Sequence, residues 1–174
     1  MKFILILGLS LSASTPVFSQ TPYSGMQTRE VKALSNQQAA ELQAGRGMGL
    51  ALAAELNGYP GPSHVLELAD KLDLTSDQRA GVKALFDSMK AEALPLGSKL
   101  IQQESELDQQ FAARIVTPES LAASTASVAV TQGKLRETHL KYHLSTVALL
   151  TSDQMKRYAE LRGYGDQPIH HHHN

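Results

Sequence analysis

One five-residue stretch constrains this chain more than any other: Leu74-Thr75-Ser76-Asp77-Gln78 occurs again, letter for letter, as Leu150-Thr151-Ser152-Asp153-Gln154. Each copy reads as the start of a helix. Thr75 or Thr151 offers its hydroxyl to a first-turn N–H, and the glutamine three residues on can reach back to the N-cap N–H, completing a capping box. Asp77 and Asp153 fall in the first turn, where the helix dipole favours negative charge. Each copy follows an apolar run and precedes a helical one, so the chain starts two helices in the same way.

The first copy opens a run in which Val82, Leu85, Phe86, Met89, Ala93, Leu96, Leu100, Leu107 and Phe111 recur at helical spacings. Pro95 interrupts it, removes a backbone donor, and predicts a kink or break. Thr117-Pro118-Glu119 starts a second long helix, with Thr as cap and Pro at the first helical position. That helix carries a strict heptad, Leu121, Val128, Leu135, Tyr142 and Leu149, flanked by a polar or small row of Thr125, Gln132, His139 and Thr146. The second copy opens a last short helix, with Met155, Tyr158 and Leu161 inward and Gly163 as its stop.

Upstream, Ser35 with Gln38 starts a helix predicted over 35–57, although Gly45, Gly47 and Gly49 alternate inside it. Glycines cost a helix interior about 1 kcal/mol each, so close packing or a local break explains them. With no preceding strand they are not a phosphate-binding loop. Gly58-Tyr59-Pro60-Gly61-Pro62 is a turn, and Ser63 is predicted to cap a short helix over 64–72 that turns Val65, Leu68, Ala69 and Leu72 to one side. No stretch alternates as a strand. The predicted fold is all-α, a long antiparallel helical hairpin with short flanking helices.

Composition narrows function. A net charge of −1 leaves no basic field for nucleic acid or an anionic membrane. The absence of Cys removes thiol catalysis, disulfides, Cys-ligated zinc and a lipoprotein anchor. Aromatics are 5% of residues, with no Trp, which favours helices packed through aliphatic contacts. Residues 1–19 have the build of a secretory signal peptide: Lys2, the apolar stretch Phe3 to Leu11, and a cleavage site at Val17-Phe18-Ser19. The apolar stretch is too short for a membrane anchor. The expected layout is a signal peptide over 1–19, a mobile arm over 20–34, a helical domain over 35–164 and a His-rich tail over 165–174.

Among residues that can carry chemistry, His139 and His143 stand four apart on the second long helix and project one turn apart from the same face. Neutral imidazoles at that spacing suit zinc, nickel, copper or cobalt if other ligands join them. The bland alternative is a pair of histidines on a solvated flank. His64, Glu55 or Glu67 can supply further ligands if the N-terminal helices fold over the hairpin, and Met48 is a soft candidate. Each is equally an ordinary surface side chain. The run His170, His171, His172 and His173 binds divalent metal whatever its origin. Catalysis finds no foothold. There is no Gly-x-Ser-x-Gly and no His-Glu-x-x-His, and Glu104, Glu106 and Asp108 read as a polar helix face. The chain is read as non-enzymatic.

Both Leu-Thr-Ser-Asp-Gln copies, with His139-Leu140-Lys141-Tyr142-His143 upstream of the second, resemble the Leu-Thr-x-x-Gln signature of the periplasmic CpxP/Spy superfamily. The segments Asn57 to Leu68 and Arg157 to Tyr164, and the His-rich tail, resemble its heavy-metal-resistance and metal-sensor branch, so the resemblance spans about Gly45 to His173. It implies a helical hairpin, often dimeric, that signals or buffers metal in the periplasm. Nickel–cobalt sensors of this branch place ligands where His139 and His143 lie. They also carry a His pair on the first helix, whereas no His precedes His64 here. The reading is an exported periplasmic metal-binding protein for heavy-metal sensing or tolerance, with His139 and His143 central, His64 and Glu55 beside them, and a membrane sensor protein as a possible partner. The alternative is a Spy- or CpxP-like chaperone or envelope-stress adaptor that binds unfolded clients without a specific metal site.

Overall fold

A computed structural model describes residues 23–164. The signal peptide expected over 1–19 and the tail containing His170, His171, His172 and His173 lie outside the described residues. Six α-helices follow one another: α1 (Asn36–Gln43), α2 (Leu52–Glu55), α3 (Pro62–Glu67), α4 (Ser76–Ala112), α5 (Pro118–Val147) and α6 (Ser152–Leu161). The expected all-α architecture is what forms. α4 and α5 are the two long arms of a hairpin, and the short helices flank it. The described residues contain no strand, and none of their helices is long and apolar enough to cross a membrane.

The capping boxes form at α1, α4, α5 and α6, on Ser35, Thr75, Thr117 and Thr151. The two copies of the doubled motif also bind each other. Gln78 Nε2 donates to Gln154 Oε1 and to the Leu149 carbonyl, both at 2.8 Å. Gln154 Nε2 donates back to Gln78 Oε1 at 2.9 Å and to the Leu72 carbonyl at 3.3 Å. Each amide oxygen also accepts its own N-cap N–H, so both side chains are fully used. The repeat is therefore a two-sided clasp. It fixes the start of α4 against the end of α5, and the start of α6 against the chain leaving α3.

Several local expectations are corrected. The helix predicted over 35–57 stops at Gln43, because Gly45 takes a left-handed φ of 67° and closes a Schellman turn, with Arg46 N–H bonded to Glu41 O and Gly45 N–H to Leu42 O. α3 starts at Pro62, with Gly61 rather than Ser63 as its cap, and ends at Glu67 rather than Leu72. α4 runs through Pro95 without a break. Pro95 and Ala91 both lie on the exposed side, so the carbonyl deprived of its partner faces water. Apart from these corrections, within the segment expected as an arm over 20–34, residues 23–34 contain a 3₁₀ turn at Met26–Thr28, a buried Val31 and an ion pair from Lys32 Nζ to Asp108 at 3.2 Å.

Two apolar clusters form the core. Leu42, Ala93, Leu100, Val128 and Leu135 join α1 to the middle of the hairpin. Val65, Leu72, Val82, Leu150 and Tyr158 close its open end under α3 and α6. Towards the hairpin turn the seam between α4 and α5 becomes polar, with Gln103 bonded to Ser127 and Gln110 to Ser124. Phe111 and Leu121, expected inward, are exposed near that turn. Leu161 is exposed as well, since Tyr158 carries the buried face of α6.

Candidate functional site

Between the two clusters the segment from α1 to α3 folds over the hairpin and encloses a cleft of about 540 Å³. The clasp and the Schellman turn set this geometry: the first fixes α6 and α3, the second sends the glycine loop across α5. All six internal residues singled out from the sequence as candidate ligands, Met48, Glu55, His64, Glu67, His139 and His143, line this one cleft. His139, His143 and Glu55 are 3%, 7% and 5% exposed, so none sits on a solvated flank. His64 remains more than a third exposed.

Glycines let the backbone reach the rings. A Cβ at Gly47 would stand 3.0 Å from His139 Nδ1, and one at Gly61 would stand 2.7 Å from His143 Nε2. Close approach to side chains, not a phosphate, is what the alternating glycines provide. His143 Nδ1 lies 2.6 Å from the Tyr59 carbonyl. A carbonyl only accepts, so Nδ1 carries the proton and a neutral His143 keeps its lone pair on Nε2. His139 Nε2 is buried without a hydrogen-bond partner among the described residues. Burial, reinforced by the charge of nearby His143, pushes the His139 pKa below its ordinary value and favours the neutral imidazole.

Glu55 has a different setting. Its Oε1 accepts from the Tyr158 hydroxyl and from the Tyr164 hydroxyl at 3.3 Å, and lies 3.4 Å from His64 Nδ1. Its Oε2 accepts from the Gly61 N–H at 3.3 Å. Arg162 Nε stands 3.6 Å from Oε1. Burial alone would raise this carboxyl's pKa, but the bonds from His64 and Tyr158 and the charges of His64 and His143 outweigh it and hold the pKa at about 2. Burial and Glu55 together push the Tyr158 hydroxyl well above its ordinary pKa, so it stays a donor. Glu55 is thus an anionic hub that joins α2, α3 and α6. Tyr158 was legible in the sequence only as an inward apolar residue. The parts of Tyr164, Arg162 and the Tyr59 carbonyl carried no sequence signal at all.

As the side chains stand, no three His, Asp or Glu residues among the described ones gather closely enough to hold one ion. The two imidazoles stand on adjacent turns of α5, and an ion held there would need a third donor from a side chain turning in from the cleft wall. No family model matches the chain, and neither the curated proteins nor the solved structures provide a match.

Proposed function

We propose that this chain is an exported, non-enzymatic periplasmic metal-binding protein of the CpxP/Spy type, serving heavy-metal sensing or tolerance. The observation that carries the reading is the orphaned Nε2 of His139, buried in the wall of a cleft that His143, His64 and Glu55 also line. A buried nitrogen without a partner costs about 1–3 kcal/mol, and a bound cation would remove that cost. Both α5 imidazoles are suited to ligation. His139 is biased to its neutral form, and His143 is oriented by a carbonyl on its other nitrogen, the usual support for a metal-binding imidazole. His139 and His143 would hold the ion, with His64 turning from Glu55 to join them. A bound ion would supply a fixed charge that draws the α1–α3 segment onto α5. The His170–His173 run would collect metal without setting its geometry, and a homodimer or a membrane sensor protein would read the occupied state.

The test is calorimetric titration with zinc, nickel, cobalt and copper of the exported chain carrying His170→Ala, His171→Ala, His172→Ala and His173→Ala. Micromolar or tighter binding, lost on adding His139→Ala and His143→Ala, is the expected result. No binding in the tail-substituted chain would overturn the internal site. The chaperone or adaptor reading draws on one observation, the apolar group Phe111, Ile115 and Leu121 exposed at the hairpin turn. Client aggregation suppressed equally with and without chelator, and by the His139/His143 double variant, would favour it.

A further inference from the structure

We infer that Glu55 relays occupancy of the candidate metal site to the end of α6: when His64 turns to the ion, the Arg162 guanidinium takes its place on the carboxylate. The inference rests on the metal-binding reading above and names how the same site is read out.

Glu55 Oε1 is overcommitted. A carboxylate oxygen offers about two lone pairs, and four donors converge on this one. The Tyr158 hydroxyl takes the first place. The Tyr164 hydroxyl at 3.3 Å, His64 Nδ1 at 3.4 Å and Arg162 Nε at 3.6 Å compete for the second. Oε2 gives no relief, since the Gly61 N–H at 3.3 Å and His143 Nδ1 at 3.8 Å stand on its side. Arg162 loses this competition. Its Nε is buried and has no hydrogen-bond partner among the described residues. An unpaired N–H on a permanent cation is costly to bury.

His64 is the donor that can leave. Its side chain is 38% exposed, whereas Tyr158 is buried on the inner face of α6. As the side chains stand, no three ligands gather around one ion, so His64 joins His139 and His143 only by moving. Arg162 is poised to follow. Its Nη2 donates to the Tyr164 hydroxyl at 3.3 Å, and its guanidinium lies 5.7 Å from the centroid of that ring. Closing from 3.6 Å to an ordinary hydrogen-bond length is a shift of about 0.7 Å. The exchange keeps Oε1 supplied and gives the orphaned Nε its acceptor. Arg162 is the C-cap of α6, next to Gly163 with its left-handed φ of 74°, so the change in bonding falls at a helix end and not on the α5 imidazoles. By linkage, a bond gained on occupancy also strengthens occupancy.

The experiment uses the exported chain with the four tail histidines replaced by Ala, with folding checked by circular dichroism. The Arg162 Nε–H resonance is observed by NMR after ¹⁵N-arginine labelling and assigned by its loss in Arg162→Lys. In His64→Ala without metal, where Oε1 has lost its rival donor, the resonance should move downfield and exchange with water about tenfold more slowly or less, as a bond to a charged acceptor requires. The chain is then titrated with zinc, nickel, cobalt and copper. Arg162→Lys keeps the charge and touches no proposed α5 ligand, yet should weaken the tightest-binding ion about tenfold. In the His64→Ala background the same substitution should cost about twofold or less, since the exchange is already lost. An Arg162 resonance unmoved in His64→Ala, or an equal loss of affinity in both backgrounds, would overturn the relay and leave the metal-binding function standing. The second result would mean that His64 keeps its bond to Glu55 while the ion is held. An absence of binding by all four ions would remove both.

Discussion

Replacing Glu55 by Gln removes a charge and keeps the shape, and so tests whether this carboxylate ties the N-terminal segment to α6. In the wild type its oxygens accept from Tyr158, Tyr164 and the Gly61 N–H, with Arg162 and His64 close by. Tyr158 is 2% exposed, so water cannot replace a lost acceptor. Hydrogen bonds to charged groups contribute about 1.5–3 kcal/mol, and the new amide would also point N–H groups at donors. Glu55→Gln should therefore lose about 2–3 kcal/mol at neutral pH, or roughly 5–10 °C in Tm for a chain of this size. Urea denaturation followed by circular dichroism measures it. The pH dependence has a definite sign. Glu55 titrates at about 2 in the folded protein against an ordinary 4.5, so the unfolded chain takes up the proton first as pH falls. Its stabilisation is complete above about pH 4.5 and is lost on the way down to about pH 2, and the gap between wild type and Glu55→Gln should close across that window. A gap under about 0.5 kcal/mol at neutral pH, or one that stays constant through the acid range, would refute the hub.

Four further outcomes are expected. Gln78→Ala and Gln154→Ala should each cost about 1–2 kcal/mol, and their double-mutant cycle should show a coupling of about 0.5 kcal/mol or more; simple additivity would dissolve the clasp. Gly97→Ala should destabilise by about 1–3 kcal/mol, because its Cβ would collide with the Leu42 carbonyl where α1 crosses α4, and an unchanged urea midpoint would disprove that approach. Pro95→Ala should raise stability by about 1–3 kcal/mol by restoring the bond to the Ala91 carbonyl, so a lower Tm would show that the proline serves the packing. In Gly61→Ala the new Cβ would press on the His143 ring, and metal affinity should fall by about tenfold or more; full affinity would place the ion away from His143.

What could be read from the sequence was local. An N-cap needs only a hydroxyl before a helical run, so Ser35, Thr75, Thr117 and Thr151 were legible in one dimension, although the box that Ser120 completes with Thr117 was not. The heptad of α5 gave Val128, Leu135 and Tyr142 as its buried stripe. The buried Thr131 and Thr138, which continue the seam, were hidden because Thr is ambiguous between core and surface. Gly45 reads in sequence as an interior glycine because a Schellman stop depends on φ, which composition does not display. Phe111 and Leu121 keep the period of a buried face, but periodicity says which residues share a side, not whether anything covers it. The Glu55 hub was out of reach for a different reason. Tyr158 lies 103 residues along the chain from Glu55, and neither residue has a local partner that announces the other.

The doubled motif explains how such distant residues meet. Gln154 bonds to Gln78 and to the Leu72 carbonyl, which fixes where α6 begins relative to α4 and to the chain leaving α3. From that start, Tyr158 falls one turn further along the buried face of α6 and reaches Glu55 at the end of α2. Glu55 then holds the Gly61 N–H, and with it the turn whose Tyr59 carbonyl orients His143. The cleft's imidazoles are thus placed by a chain of bonds that starts at the clasp, although neither glutamine lines the cleft. Loosening the clasp should therefore blunt metal affinity through His143 orientation while leaving every proposed ligand in the sequence. Gln78→Ala titrated calorimetrically with zinc, nickel, cobalt and copper, under conditions where the variant stays folded, should show that loss. Full affinity in a destabilised Gln78→Ala chain would mean that the glycine loop alone positions the site.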